Sequence, residues 1–362
     1  MNLPTSHILR SVRFSAACVA ALLAPAARHS CAQSDAPAAH DLEPQIEPQI
    51  EAAVDRGLDW LTRAQQPDGS WGSGAFRGSA AVTAQCAMAL VGSGSTAGSG
   101  RGSAAIARAV AFLLASAGGS GLIEGSEAAA HGPMYGHAFA TIALAEVYGE
   151  TADDRTVAGV LERARVLIER TQNDEGGWRY QPQRREADIS VTVAMLNALR
   201  ALRNAGFDVS DTAVDNAVAY IRRLQNADGG FRYQTQPGPS AAPRTAAAVF
   251  ALLAAGGSDR APIDRGVAWL DAHPIRLGSA DGYALYGLFY TAAARWQLAG
   301  NGAGEPWQGW YATTATALIA AQRDDGSWAD PSCPEYGTSA ALAVLQMPDD
   351  LTPLYQRDRG AP

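Results

Sequence analysis

Two kinds of apolar pattern alternate along this chain. The first is one-sided: Val157, Val160, Leu161, Ala164, Leu167 and Ile168 recur at spacings of three and four, with Glu162, Arg163, Arg165 and Glu169 between them. That spacing describes a helix with one wet face. The second is apolar almost without interruption, over 80–91, 138–147, 191–202, 245–255, 285–298 and 338–345. Helices of the second kind are buried on nearly all sides. The alternation therefore predicts outer helices paired with inner ones, the inner set near 79–91, 136–148, 188–204, 244–255, 283–299 and 336–346.

The turn from outer to inner helix is a repeated phrase, in which Gln, a polar turn, Gly and an aromatic residue follow one another. It reads Gln65-Gln-Pro-Asp-Gly69-Ser-Trp71, Gln172-Asn-Asp-Glu-Gly-Gly177-Trp178, Gln225-Asn-Ala-Asp-Gly-Gly230-Phe231 and Gln322-Arg-Asp-Asp-Gly326-Ser-Trp328. Two weaker copies end at Gly121-Leu122 and at Asp281-Gly-Tyr283. Marks at 71, 122, 178, 231, 283 and 328 stand 51, 56, 53, 52 and 45 residues apart, the period of a repeat array. Asp or Asn with Gly makes the tight reversal. The turn aromatics Trp71, Trp178, Phe231 and Trp328 are expected to be structural, packing across helix ends. Six like pairs with inner helices too apolar for an open groove suggest closure into an all-α (α/α)6 toroid, a barrel of six helix-pair repeats, over an open solenoid.

The Gln-to-Trp repeats resemble the QW motifs of squalene-hopene and oxidosqualene cyclases. The six-pair layout is similar to the α/α toroid those terpene cyclases share with protein prenyltransferase β subunits. The resemblance, that of a prenyltransferase/squalene oxidase repeat protein, spans about residues 47–348. It implies the fold more strongly than an activity, because one fold carries many functions. Class II cyclases protonate an isoprenoid with the middle Asp of an Asp-x-Asp-Asp motif, where clustered carboxyls tune one proton donor. The matching segment is Asp188-Ile-Ser-Val-Thr192, so only Asp188 of that motif survives. Asp188 is thus the candidate catalytic acid, and capping of the inner helix is its alternative role. Glu186 is the nearest second carboxyl. The zinc triad of the prenyltransferases is not matched either: Asp330-Pro-Ser-Cys333 has the wrong spacing for the Asp-x-Cys pair, and no His follows His273. Neither a metal nor a cofactor is therefore expected.

Polar and aromatic residues near the inner-helix starts are candidates to line a cavity: His131, Tyr135, His137, Arg244, Tyr283, Tyr286, Tyr290 and Tyr336. His131-Gly-Pro-Met-Tyr135-Gly-His137 is the most unusual group; it either holds a ligand or serves as satisfied core. The loops Arg179-Tyr-Gln and Arg232-Tyr-Gln share a pattern read as repeated turn chemistry.

Composition narrows the partners. All 28 basic residues are Arg, against 36 acidic ones, and the absence of Lys removes Schiff-base chemistry and a Walker-type phosphate loop. Residues 1–32 hold Arg10, Arg13 and Arg28, no acid and a short apolar stretch, which reads as a secretory signal peptide. Its removal takes the net charge from −8 to about −11, so nucleic acid is an unsuitable partner. The organisation expected is a signal peptide over 1–32, a flexible linker over 33–46, the toroid over 47–348 and a C-terminal tail over 349–362. The chain is expected to be exported to a periplasmic or extracellular space, with no transmembrane segment in its mature form. Cys86 and Cys333 remain, either free or paired where a closed ring brings the first and last repeats together. Three functions stay open: a catalytically degenerate binding or scaffold toroid, an enzyme acting on an isoprenoid or other apolar substrate, and a glycan-binding or glycan-processing toroid. The partner is correspondingly an apolar small molecule, a glycan or a protein.

Overall fold

A computed structural model describes residues 39–126, 132–256, 259–278, 282–299 and 305–356. The signal peptide expected over 1–32 lies outside the described residues, as does His131. Among the described residues the secondary structure is helical apart from isolated bridges. The outer helices are α1 (Ala39–Ala64), α3 (Ser103–Ala115), α5 (Asp154–Thr171), α7 (Asp211–Arg223), α9 (Ala261–Ala272) and α11 (Glu305–Ala321). The inner helices are α2 (Ala80–Gly92), α4 (Met134–Val147), α6 (Ile189–Asn204), α8 (Ala242–Ala254), α10 (Ala284–Leu298) and α12 (Pro334–Leu345). Each expected inner helix is present within two residues of its expected start.

The inner helices form a closed ring, α2 against α4, then α6, α8, α10 and α12, which returns to α2. Their Ala-rich faces, including Ala84, Ala140, Ala194, Ala248, Ala292 and Ala341, are fully buried and let backbones approach closely. In the outer layer α11 packs against α1. No helix among the described residues is long and apolar enough to cross a membrane.

The repeated phrase is a stitch between neighbouring outer helices. Gln65 Nε2 donates to the carbonyls of Gly69 in its own turn and Ala105 in α3, each at 2.9 Å. Gln172 does the same with Gly176 and Ala213, Gln225 with Gly229 and Pro262, and Gln322 with Gly326 and Ala53. The last stitch ties α11 to α1 and closes the ring. The turn aromatics are sealed: Trp71, Trp178 and Trp328 donate their indole N–H to the carbonyls of Leu61, Ile168 and Leu318 at 2.7–2.8 Å, while Phe231 fills its place without that bond. The backbone N–H of each aromatic donates to a threonine of the following inner helix, Thr83, Thr192, Thr245 or Thr338. Gly176 shows why the turn requires glycine. Its φ is +90°, and an added Cβ would stand 2.3 Å from the Asn216 carbonyl oxygen.

The weaker copies differ in detail. In the second turn Gly121 keeps the same left-handed conformation and close approach to α5, but the sealed position belongs to Ile123 and not to Leu122. In the fifth, Tyr283 is 66% exposed and seals nothing. Helix α1 also begins at Ala39, inside the expected linker. Ile46 and Ile50, four apart on one face, pack against the core there.

Candidate functional site

The N-terminal ends of the inner helices bring together five residues singled out by sequence: Asp188, Tyr135, Tyr286, Tyr290 and Tyr336. Burial pushes all four phenols up, and the cluster reinforces it: Tyr135 is raised further by Tyr290, Tyr286 by Tyr135, and Tyr290 by Tyr286. The Tyr286 and Tyr290 rings meet edge to face with centroids 4.8 Å apart, a favourable arrangement of their quadrupoles. These groups form a buried cluster of neutral phenols at that end of the ring.

Asp188 stands beside this cluster, fully buried. Its Oδ1 accepts the Val191 N–H at 3.0 Å and so caps α6. Its Oδ2 is buried without a hydrogen-bond partner, with the Arg179 Nε 3.8 Å away and likewise unpartnered. Burial pushes the Asp188 carboxyl above the usual range, opposed by the Val191 N–H, the approaching Tyr233 hydroxyl, the Ser190 N–H and the Arg179 charge. No second acid is among the five largest influences on it. Glu186 pairs instead with Arg179 on the surface, its side chain 67% exposed.

The two Arg-Tyr-Gln loops prove to be one device used twice. Each lies over the start of the preceding inner helix, where Met134 N–H donates to the Tyr180 carbonyl at 3.2 Å and Ile189 N–H to the Tyr233 carbonyl at 2.9 Å. Their phenols meet, Tyr180 hydroxyl to Tyr233 hydroxyl, and place a short phenolic chain beside Asp188.

The remaining candidates sit elsewhere. His137 belongs to the wall between turn and helix: its Nδ1 accepts the Ile123 N–H at 3.2 Å, the place threonine holds in four other repeats. That bond assigns the ring proton to Nε2, and burial lowers the pKa to about 4. Arg244 is committed to the Phe231 and Pro239 carbonyls at 3.1 and 2.8 Å. Tyr283 is exposed, because it precedes the first turn of α10. Cys86 and Cys333 are both buried and share no disulfide; the Cys86 Sγ donates to the Glu335 carbonyl at 3.5 Å, and across the seam of α2 and α12 Cys333 raises the Cys86 thiol, second to burial.

Residues that sequence reading missed lie deeper. Asn197, a polar interruption in the apolar 191–202 segment, turns a partnerless Oδ1 into the middle of the ring. It lines a cavity of about 30 Å³ with Phe139, Phe250, Tyr290, Leu354 and Tyr355. A space of that size has room for water. The polarity of Asn197 within that run was a readable signal; nothing local marks Leu354 or Tyr355.

Residues 153–287 match the family model of the squalene-hopene cyclase C-terminal domain. A segment of 101 residues is 33% identical to drimenyl diphosphate synthase of Streptomyces showdoensis, covering 28% of this chain and only 18% of that protein. Among solved structures, the type II terpene cyclase MstE from Scytonema is similar with a TM-score of 0.58 at 16% identity, over 84% of this chain and 99% of that one. A protein from Actinoplanes is similar with a TM-score of 0.57 at 20% identity, over 83% and 99%. The GH76A α-1,6-mannanase of Salegentibacter sp. HEL1_6 is similar with a TM-score of 0.58 at 10% identity, over 83% and 99%. These structural likenesses show the fold alone. The chain is an α/α toroid, as its repeats imply, and over residues 153–287 it is similar to the squalene-hopene cyclase C-terminal domain.

Proposed function

We propose that this toroid binds an apolar, isoprenoid-like molecule at the centre of its ring and does not cyclise it. The observation that carries this reading is the state of Asp188. An alkene is protonated only by a carboxyl made unusually acidic by its partners. Asp188 is moved the opposite way by burial, and one of its oxygens is committed to capping α6. The neutral phenols and apolar walls below it suit a hydrocarbon better than a glycan, which would call for paired carboxylates. One observation favours an enzyme instead: the buried Asp188 Oδ2 makes no close hydrogen bond, with only the Arg179 Nε 3.8 Å away and the Tyr233 hydroxyl approaching it, as a group awaiting a substrate does. The proposal includes export to a periplasmic or extracellular space, on the strength of residues 1–32.

Incubation of the purified protein with squalene and with farnesol separates the two readings. Binding by calorimetry with no new product by mass spectrometry is expected. A cyclic product from the wild type that Asp188→Asn abolishes would establish Asp188 as a catalytic acid and overturn the binding reading. Asp188→Ala should cost roughly 0.5–2 kcal/mol through the lost cap.

A further inference from the structure

The lower half of the ring is occupied by the protein's own chain. After α12 the backbone makes two short 3-10 turns, Met347–Asp349 and Pro353–Tyr355, and the second inserts between the C-terminal ends of the inner helices. Leu354 is 3% exposed. The Tyr355 ring lies 5.5 Å from that of Phe289 and 6.3 Å from that of Phe250, and with Leu354 it closes the 30 Å³ cavity from below.

The way this segment is held differs from the way the ring is held. The inner helices meet through continuous apolar packing, whereas the segment is held by the buried Met347 and Leu354 side chains and a few polar contacts, the Leu354 N–H to the Glu146 carboxyl among them. Trp296 indole N–H donates to Asp350 Oδ1 at 2.9 Å, Gln356 Nε2 to the Asp350 carbonyl at 2.7 Å, and Gln297 Nε2 to the Gln356 carbonyl at 3.4 Å. Asp350 takes a left-handed conformation, φ +53°, which is tolerable for Asp but unfavourable. A second void of about 20 Å³ runs beside the segment, lined by Met88, Gly92, Met347, Leu351 and Thr352. Imperfect packing and few anchors place this piece at the low-stability end of the molecule.

We infer that Met347–Gln356 is a displaceable plug: Leu354 and Tyr355 occupy the place of an acyclic isoprenoid, and the ring accepts such a molecule only when the segment swings out. This rests on the apolar-binding reading above. The remaining void is far too small for an isoprenoid, so binding and plug insertion exclude one another. Affinity is then reduced by the fraction of molecules whose plug is in.

The test uses the full chain, farnesol as probe, and variants at the anchors, because changes to the cavity wall would create binding space by themselves. Gln297→Ala removes the bond to the Gln356 carbonyl and Trp296→Phe the bond to Asp350, and neither residue lines the cavity. Each should tighten farnesol binding roughly three- to tenfold, the range that losing a hydrogen bond from the plugged state allows. In the wild type, saturating farnesol should speed hydrogen exchange of the 350–356 amides while the inner helices stay protected. Binding with unchanged exchange at 350–356 and unchanged affinity in both variants would overturn the plug and leave the binding reading intact. Absence of binding to all three proteins would overturn both.

Discussion

Closure of the ring can be tested at one side chain. Gln322 and Gln172 are the same device at different seams: each Nε2 donates to two backbone carbonyls at 2.8–2.9 Å, one in its own turn and one in the next outer helix. For Gln172 both partners lie within successive repeats, whereas Gln322 reaches Ala53, 269 residues earlier in the chain. Replacement by Ala removes both bonds and leaves two carbonyls short of a partner. At roughly 0.5–1.5 kcal/mol per bond, with part of the penalty for unmet acceptors added, each variant should lose about 2–3 kcal/mol. Gln322 also accepts from the Arg56 guanidinium, an exposed contact that adds little. Equilibrium urea unfolding reads the effect as a midpoint shift of roughly 0.7–1.5 M, for slopes of roughly 2–3 kcal/mol per M. In a closed ring Gln322→Ala and Gln172→Ala cost comparable amounts. If Gln172→Ala lost about 2 kcal/mol and Gln322→Ala less than about 0.5 kcal/mol, α11 and α1 would not be joined in solution, and the toroid would be an open array.

Three further outcomes follow from buried groups. Trp178→Ala should cost about 3–5 kcal/mol, since a ring 1% exposed and its bond to the Ile168 carbonyl are both lost; an unchanged thermal midpoint would show that the turn aromatics do not staple the helix pairs. His137, lowered from 6.5 to about 4 by burial, contributes stability that is present above pH 6.5 and lost as pH falls towards 4. The full effect is about 3 kcal/mol. His137→Thr, which installs the residue used in four other repeats, should therefore flatten the stability profile over that window; equal slopes in both proteins would contradict it. Glu146, raised from 4.5 to about 8 by burial against the Leu354 N–H and the Arg200 charge, works in the opposite sense: its neutral form is favoured, and stability is lost as pH rises from 4.5 through 8. Glu146→Gln should remove that loss, and a wild type and variant with parallel midpoints between pH 5 and 8 would refute the assignment.

The helix pairs, their count and their inner and outer faces were legible in the sequence because they rest on short-range physics. A period near 3.6 fixes one wet face, an uninterrupted apolar run fixes a buried helix, and Gly with Asn or Asp fixes the turn. Asp188 was legible as a helix cap for the same reason. The two weak repeats were less so: Ile123 takes an aromatic position and His137 a threonine position, substitutions that keep the geometry while changing the residue type. What only the tertiary structure decided involves residues far apart in the chain. The stitch from Gln322 to Ala53, the gathering of Tyr135, Tyr286, Tyr290 and Tyr336 beside Asp188, and the insertion of Leu354 and Tyr355 beneath them all depend on the ring having closed. Pattern along a chain reports which face of a helix is wet. It carries no record of which helices share a centre, and so the state of that centre, an acid without a companion above a filled cavity, belongs to the fold.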